Sequence, residues 1–236
     1  WPAICDYFKS LQQKSTKQQP TSGAYRRIAT KCLDKEIIVK MEFLIEVVPL
    51  FENFAAFFQS VEPQVHVLHT RMSELVERLL LRILKPEALA GKSGKELKAI
   101  DPKNVADHLS DDDIVLGHDT RQALRSIPKE SRHRVIVSMR AFYMSAAVYL
   151  LPRLPLDNPL LQNLIYFQPK KSFLPESLKA ICDLVQKMPH MDSKDAIDIA
   201  DEWRAYRLDA DTISLSENAE GKRVDHYWRD VISLQS

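Results

Sequence analysis

The scarcity of glycine is the feature that most constrains what this chain can fold into. The sequence has 5 glycines and 13 prolines in 236 residues. Tight turns between strands favour glycine because they require positive φ angles, so a sheet-rich fold would need more of it. The prolines fall between long amphipathic runs, which is typical of helices separated by helix breakers. The sequence therefore predicts a mainly α-helical protein.

The periodic runs predict roughly eight or nine helices in the chain. They cover residues 1–13, 24–33, 35–60, 63–85, 128–151, 159–167, 175–188, 193–208 and 226–234. Asp34 is predicted to cap the third helix, and Pro49 to kink it. A short helix is possible at 103–109, whereas residues 209–223 read as a polar loop. The single strand candidate, IVLG at 114–117, is too short to build a sheet.

The predicted organisation is one helical domain over residues 1–236. It is expected to comprise long N-terminal helices at 1–86, an irregular linker at 87–127 and C-terminal helices at 128–236. The helices at 34–85 and 128–151 are the most apolar and are expected to form the core. Trp1 stands where an initiator methionine would be expected, which predicts a fragment of a longer chain.

Composition and charge exclude several classes of protein. The net charge of +1 argues against bulk electrostatic attraction to nucleic acid, so any such surface must be local. Cys5, Cys32 and Cys182 are widely spaced and odd in number, which favours a reducing compartment over a disulfide scaffold. No apolar run reaches the roughly 18 residues of a membrane span, so no membrane partner is expected.

Two clusters of metal-ligand residue types occur. Asp111, Asp112 and Asp113 are consecutive, so their carboxylates point in different directions, and they are expected to lie in a solvated loop with one capping a turn. His66 and His69 share a helix face, but the sequence offers no third ligand. With no nucleotide-binding or nucleophile motif either, we expect no catalytic residue, metal, cofactor or small-molecule substrate in this chain.

The basic stretch at 119–140 contains six Lys or Arg residues against two Asp or Glu residues. Lys129, Arg132, His133 and Arg140 fall near one helix face with Ile136 between them, and Lys129, Arg132 and Arg140 are the predicted contacts to DNA phosphates. The alternative is the ordinary solvated face of a buried helix. The buried stripe of that helix is predicted to be Val135, Met139, Phe142 and Ala146.

Aromatic residues are interleaved with charges near the C-terminus, in DEWRAYR and DHYWRD. Trp203, Tyr206, Tyr227 and Trp228 have the chemistry to stack on nucleic-acid bases. The more common role of such residues is to fasten short helices onto a core, and this is the interpretation we favour.

Several segments together resemble the hAT-superfamily transposases, and especially their domesticated vertebrate relatives. They are WPAICDYF at the start, the stretch from FLIEVV to KPE at 43–87, IVLGHDTRQAL at 114–124, the helix at 135–163, DEWRAYRLD and HYWRDV. The segments follow the order and spacing of the family across essentially the whole chain, although each motif alone is loose.

The resemblance implies a place within a larger protein. Such transposases have an RNase H-like domain with two Asp and one Glu that bind Mg²⁺ or Mn²⁺, interrupted by a large helical insertion. This chain resembles the insertion, so the triad and its metal would lie outside it, and Asp111–Asp113 match no catalytic position. The insertion is expected to contact DNA ends and help assemble subunits of a homo-oligomer, in the nucleus.

Two other functions remain open on the sequence. One is a helical protein–protein interaction scaffold with no nucleic-acid role, which salt-dependent DNA binding would distinguish. The other is an independent metallohydrolase, which predicts that activity depends on Asp111 or Asp112.

Overall fold

The computed structural model describes residues 2–13 and 22–234 of the chain. Over these residues it contains thirteen α-helices and no strand, so the prediction of a mainly α-helical fold is confirmed. The only β-type pairing described is an isolated bridge between Leu84 and His108. Trp1, which the sequence placed in the first helix, lies outside the described residues.

The helices are more numerous and shorter than the periodicity predicted. They are α1 (Pro2–Gln12), α2 (Gly23–Leu33), α3 (Lys35–Phe57), α4 (Leu68–Leu80), α5 (Gly94–Lys98), α6 (His118–Arg125), α7 (Lys129–Leu150), α8 (Pro159–Asn163), α9 (Pro169–Ser172), α10 (Ser177–Val185), α11 (Ser193–Leu208), α12 (Ala210–Glu217) and α13 (Val224–Leu234). Short 3₁₀ turns lie at Val65–Val67, Pro86–Ala88, Val105–Asp107 and Leu164–Phe167.

Local signals placed the start of α3 correctly. The Asp34 carboxylate accepts a hydrogen bond from the Glu36 amide at 2.9 Å, so the predicted cap is confirmed. The helix is uninterrupted at Pro49 and continues to Phe57. Proline removes one backbone donor there, and the predicted kink stays a prediction.

Three sequence predictions of local structure were wrong. The helix predicted at 63–85 begins as a 3₁₀ turn and ends at Leu80. It ends there because the next residues form backbone hydrogen bonds with other segments. For example, the Ile83 carbonyl oxygen accepts a hydrogen bond from the Leu109 amide at 2.8 Å. The linker predicted at 87–127 contains α5 and α6. The loop predicted at 209–223 contains α12, whose first turn is capped by the Asp209 carboxylate.

The chain divides into two compact units, each assembled from separate segments. The first unit comprises Trp1–Asn53, Leu79–Ala88 and Pro102–Val148. The second unit comprises Phe54–Arg78, Leu89–Asp101 and Tyr149–Ser236. The sequence predicted divisions after residues 86 and 127. Each unit instead contains segments from both sides of these two positions.

The core of the first unit forms where α3 meets α7. Phe43 is buried and makes edge-to-face contacts with Phe142 at 5.5 Å and Tyr143 at 5.1 Å between ring centroids. The Tyr143 hydroxyl accepts a hydrogen bond from Arg82 at 3.2 Å, which gives this fully buried side chain a polar partner. Both helices bury one face here.

The core of the second unit is built from α10, α11 and α13 around an aromatic cluster. The four predicted aromatics lie here: Trp203 and Trp228 stack at 5.5 Å, and Tyr206 lies 5.2 Å from Trp228. The Tyr206 hydroxyl lies 2.6 Å from the hydroxyls of both Ser172 and Tyr227. These aromatic residues therefore fasten helices onto the core, as the favoured interpretation stated.

Candidate nucleic-acid interface

The aspartate cluster at 111–113 forms a capped turn. The Ser110 hydroxyl donates to the Asp113 carboxylate at 2.7 Å, and the Asp113 amide donates back to Ser110 Oγ at 3.3 Å. Asp111 faces α7, whereas the side chain of Asp112 is exposed. Over the described part of the chain, no group of three or more His, Cys, Asp or Glu side chains is placed to hold a metal ion.

Asp111 binds two of the residues that the sequence assigned to the basic face. Its carboxylate accepts a hydrogen bond from Arg140 Nη2 at 2.8 Å and lies 3.0 Å from His133 Nδ1. The Arg140 side chain is only 13% exposed. Arg140 therefore already has an intramolecular partner, which reduces its capacity to bind phosphate.

Arg132 also makes intramolecular contacts, but with neutral groups. Its guanidinium donates to the carbonyl oxygens of Leu124 at 3.1 Å and Ile127 at 3.5 Å, at the end of α6. The last carbonyls of a helix lack intrahelical partners and carry partial negative charge, so a cation stabilises them. Since neither partner is a carboxylate, the positive charge of Arg132 stays available to an anion.

Arg121 is held in the same manner by the loop that precedes α6. Its guanidinium donates to the carbonyl oxygens of Ile114 at 2.7 Å, Leu116 at 3.3 Å and Asp112 at 3.4 Å. These bonds fix the side chain against the loop that precedes the helix. Its charge is again not neutralised by a carboxylate.

Arg125 and Lys129 complete a group of four cations at the junction of α6 and α7. Both are exposed, and neither side chain makes a hydrogen bond or ion pair with any residue that the structure describes. Arg121, Arg125 and Arg132 line a cleft of about 240 Å³. We call Arg121, Arg125, Lys129 and Arg132 the basic cleft residues.

The cleft is also lined by apolar and acidic residues. Its remaining lining residues are Asp111, Asp112, Leu116, Leu124 and Ile136. Asp111 is matched by Arg140 and His133, which leaves Asp112 as the carboxylate there that opposes the four cations. A second depression of about 310 Å³ adjoins it, lined by His118, Arg121, Gln122 and Arg125.

The orientation of α6 is set by a carboxylate from α3. Glu46 accepts hydrogen bonds from the amides of Gly117 at 2.9 Å and Thr120 at 3.2 Å, and from the Thr120 hydroxyl at 2.6 Å. A negative group at a helix N-terminus satisfies free amides and interacts favourably with the helix dipole. Glu46 thus fixes the helix that presents Arg121 and Arg125.

The buried face of α7 differs from the one predicted from the sequence. Ile136, predicted to lie between the cations, is buried. Phe142 and Ala146, predicted for the buried stripe, are only half-buried. The buried residues of α7 are Val135, Ile136, Met139, Tyr143 and Ala147.

The two predicted metal-ligand histidines do not form a site. His69 Nε2 lies 2.8 Å from the Leu156 carbonyl oxygen, so a backbone group is its partner. Burial lowers the pKa of His66 below its ordinary value, which favours the neutral imidazole. His66 Nδ1 is buried and has no hydrogen-bond partner among the described residues.

Arg121 and Arg125 were not among the DNA contacts predicted from the sequence. Both lie within the stretch with an excess of positive charge, but they belong to α6, whereas the predicted contacts lie on one face of α7. The charge excess itself was the available signal. The turn between α6 and α7 is what brings these side chains to the same cleft as Arg132.

No protein-family model, curated protein or solved structure matches this chain. The resemblance to hAT transposases therefore remains a prediction from the sequence. None of the helices that the structure describes combines the length and the apolar run required to span a membrane.

Proposed function

We propose that this chain is a non-catalytic helical part of a hAT-transposase-derived nuclear protein, which contacts DNA phosphates and supports subunit assembly in the parent. The observation that carries the DNA-binding part is the state of the basic cleft residues. Arg121 and Arg132 are held by carbonyl oxygens, while Arg125 and Lys129 extend into solvent. Three arginines that line one cleft, with Lys129 exposed at the start of α7, match the electrostatic requirement of a DNA backbone.

The residues that contact DNA in this proposal differ from the set predicted from the sequence. Lys129 and Arg132 are retained, whereas Arg140 is replaced by Arg121 and Arg125 because Asp111 pairs with it. Contacts to phosphate position a protein without reading base sequence. We therefore expect binding with little sequence preference and strong dependence on salt.

The test measures binding of the chain to a fluorescently labelled DNA duplex by fluorescence anisotropy. The measurement is repeated at a series of salt concentrations. If four phosphates are contacted, the logarithm of affinity should fall with the logarithm of salt with a slope of roughly −3 to −4. The variant Arg121→Ala, Arg125→Ala, Lys129→Ala should bind much more weakly and show a flatter slope. Absence of binding at about 50 mM salt would refute the DNA-binding part.

A matched control tests whether DNA affinity depends on the position of the removed charges or only on their number. The triple change Lys92→Ala, Lys95→Ala, Lys187→Ala removes the same number of charges from exposed positions in the second unit. We expect it to leave most of the affinity intact. If both triple variants lose affinity equally, the cleft has no special role.

The second candidate function is a helical protein-interaction scaffold. It is favoured by exposed apolar side chains on α3, among them Leu44, Ile45 and Val48. Under this alternative the basic cleft variant behaves like its control in every DNA measurement. Substitutions of these apolar side chains on α3 then weaken binding to a protein partner and leave DNA affinity unchanged.

A further inference from the structure

Ser126 lies in the sequence among the basic cleft residues. In the segment RQALRSIPKE at 121–130 it directly follows Arg125, and Lys129 is three residues further on. It is the C-cap residue of α6, and its hydroxyl donates a hydrogen bond to the Ala123 carbonyl oxygen at 2.7 Å. Ser126 is exposed, so its hydroxyl lies at the protein surface.

The position of Ser126 continues a row of α6 side chains that lines the second depression. His118, Gln122 and Ser126 follow one another at intervals of four residues, and the backbone at Ser126 is still helical, with φ −81° and ψ −8°. Residues four apart share a helix face. Because His118 and Gln122 line the depression together with Arg121 and Arg125, a group attached to Ser126 extends this row beside Arg125.

Arg132 approaches the same turn from α7. Its guanidinium donates to the carbonyl oxygens of Leu124 and Ile127, and Ile127 is the residue bonded to Ser126. Because consecutive Cα atoms are about 3.8 Å apart, these contacts place the guanidinium within roughly 10 Å of the Ser126 Cα atom. The Debye length at physiological ionic strength is about 8 Å, so salt only partly screens Arg132 from a charge on Ser126.

We propose that Ser126 is a phosphorylation site, and that its phosphate prevents the basic cleft from binding DNA. The inference rests on the DNA-binding part of the proposed function. In the reaction, Ser126 Oγ forms a bond to the γ-phosphorus of a nucleoside triphosphate held by a protein kinase. The bond from that phosphorus to the bridging oxygen breaks, the nucleoside diphosphate leaves, and the hydroxyl proton passes to a base of the kinase.

The phosphate competes with DNA for the same cations. Phosphoserine carries a charge of about −1.5 to −2 at neutral pH and has three strong acceptor oxygens. The side chains of Arg125 and Lys129 make no hydrogen bond or ion pair with any described residue, so both are available to pair with it. A phosphate on Ser126 neutralises these charges and repels the DNA backbone, which weakens binding.

The flanking sequence indicates the kind of kinase. Arg121 and Arg125 precede Ser126 by five residues and one residue, Lys129 follows by three, and no Asp or Glu lies within three residues on either side. Such a segment complements a kinase whose substrate-binding surface is acidic. The last turn of α6 has to open for the kinase to hold this segment, and helix ends open at a lower free-energy cost than cores.

The effect on DNA is tested with the full chain carrying phosphoserine incorporated at position 126 during synthesis. At about 100 mM salt, its affinity for the labelled duplex should be at least roughly tenfold lower than that of the unmodified chain. The salt slope should flatten to roughly −2, because about two cations no longer contact DNA. Far-ultraviolet circular dichroism should show the same helix content in both forms.

The control carries phosphoserine at position 214. Ser214 is exposed, belongs to the second unit and has no Lys or Arg within five residues on either side. It adds the same charge away from the cleft and should leave the affinity close to that of the unmodified chain. The inference is overturned if phosphoserine at 126 leaves DNA binding unchanged, or if both modified chains lose affinity equally.

The modification itself is tested with a protein kinase that selects serines flanked by arginine. The full chain is incubated with the kinase, ATP and Mg²⁺, and the modified residues are mapped by tandem mass spectrometry. We expect phosphate on Ser126 and none on Ser214. Ser126→Ala should bind DNA like the parent chain and keep its affinity after kinase treatment. A treated chain without phosphate on Ser126 overturns the inference.

The two proposals fail in different ways. An unmodified chain that does not bind the duplex refutes the DNA-binding function, and the proposed control of that function with it. An unmodified chain that binds the duplex, and binds equally well with phosphoserine at 126, refutes the control by Ser126 alone and leaves the DNA-binding function in place.

Discussion

Asp111 and Arg140 are joined by a hydrogen-bonded ion pair of 2.8 Å between residues 29 positions apart in the sequence. The Asp111 carboxylate also lies 3.0 Å from His133 Nδ1, so one aspartate binds two side chains of α7. The second terminal nitrogen of Arg140, Nη1, is buried without a partner among the described residues. The pair attaches the loop at 110–116 to the long helix.

Replacing Asp111 is expected to destabilise the first unit. In Asp111→Ala the largely buried guanidinium of Arg140 loses its carboxylate partner, which should lower the free energy of unfolding by about 1–3 kcal/mol. Urea unfolding followed by circular dichroism measures it. Asp112→Ala is the matched control, since Asp112 is exposed and should change stability by less than about 0.5 kcal/mol. Equal effects would mean that the ion pair contributes nothing specific.

Gly117 is predicted to be intolerant of any side chain. A Cβ atom there would lie 2.1 Å from Glu46 Cδ, so Gly117→Ala must displace the carboxylate that caps α6. The φ angle of −68° is ordinary for alanine, so the cost comes from the hydrogen bonds that the displaced carboxylate loses and should be about 1–3 kcal/mol. Thermal unfolding provides the measurement. Gly23→Ala has open space around it and should not destabilise the fold.

Arg132 is expected to have a structural role that Arg125 lacks. Arg132→Ala removes the donor to the Leu124 and Ile127 carbonyl oxygens and should cost about 1 kcal/mol of stability. Arg125→Ala removes an exposed side chain that has no hydrogen-bond or ion-pair partner among the described residues, and it should leave stability unchanged. Both should weaken DNA binding. Comparing urea midpoints with DNA affinities for the two variants checks this, and equal loss of stability would contradict it.

The buried tyrosines predict a loss of stability in alkali. Burial raises the pKa of Tyr143, Tyr206 and Tyr227 above the ordinary value of about 10. The unfolded chain therefore releases these protons first, so the stabilisation present below about pH 10 is lost as pH rises further. Urea midpoints between about pH 8 and pH 11 measure the loss. Tyr206→Phe should flatten the alkaline decrease, and an unchanged slope would exclude Tyr206 as a contributor.

The sequence by itself determined the fold class and much of the helix placement. Few glycines and many prolines predicted helices, and Asp34 predicted the start of α3, because these signals act within a few residues of backbone. The assignment of Trp203 and Trp228 to a core also followed from composition alone, since large aromatic side chains are stabilised by burial.

Only the tertiary structure decided which cations pair with a carboxylate and which apolar residues stay exposed. Asp111 is far from Arg140 in the sequence, and no local pattern indicates that they meet. Leu44 and Val137 are apolar and yet exposed, so residue type alone does not tell the buried side of α3 or α7 from the exposed one. Helix formation depends on neighbours along the chain, whereas a side chain's exposure depends on which distant helix packs against it.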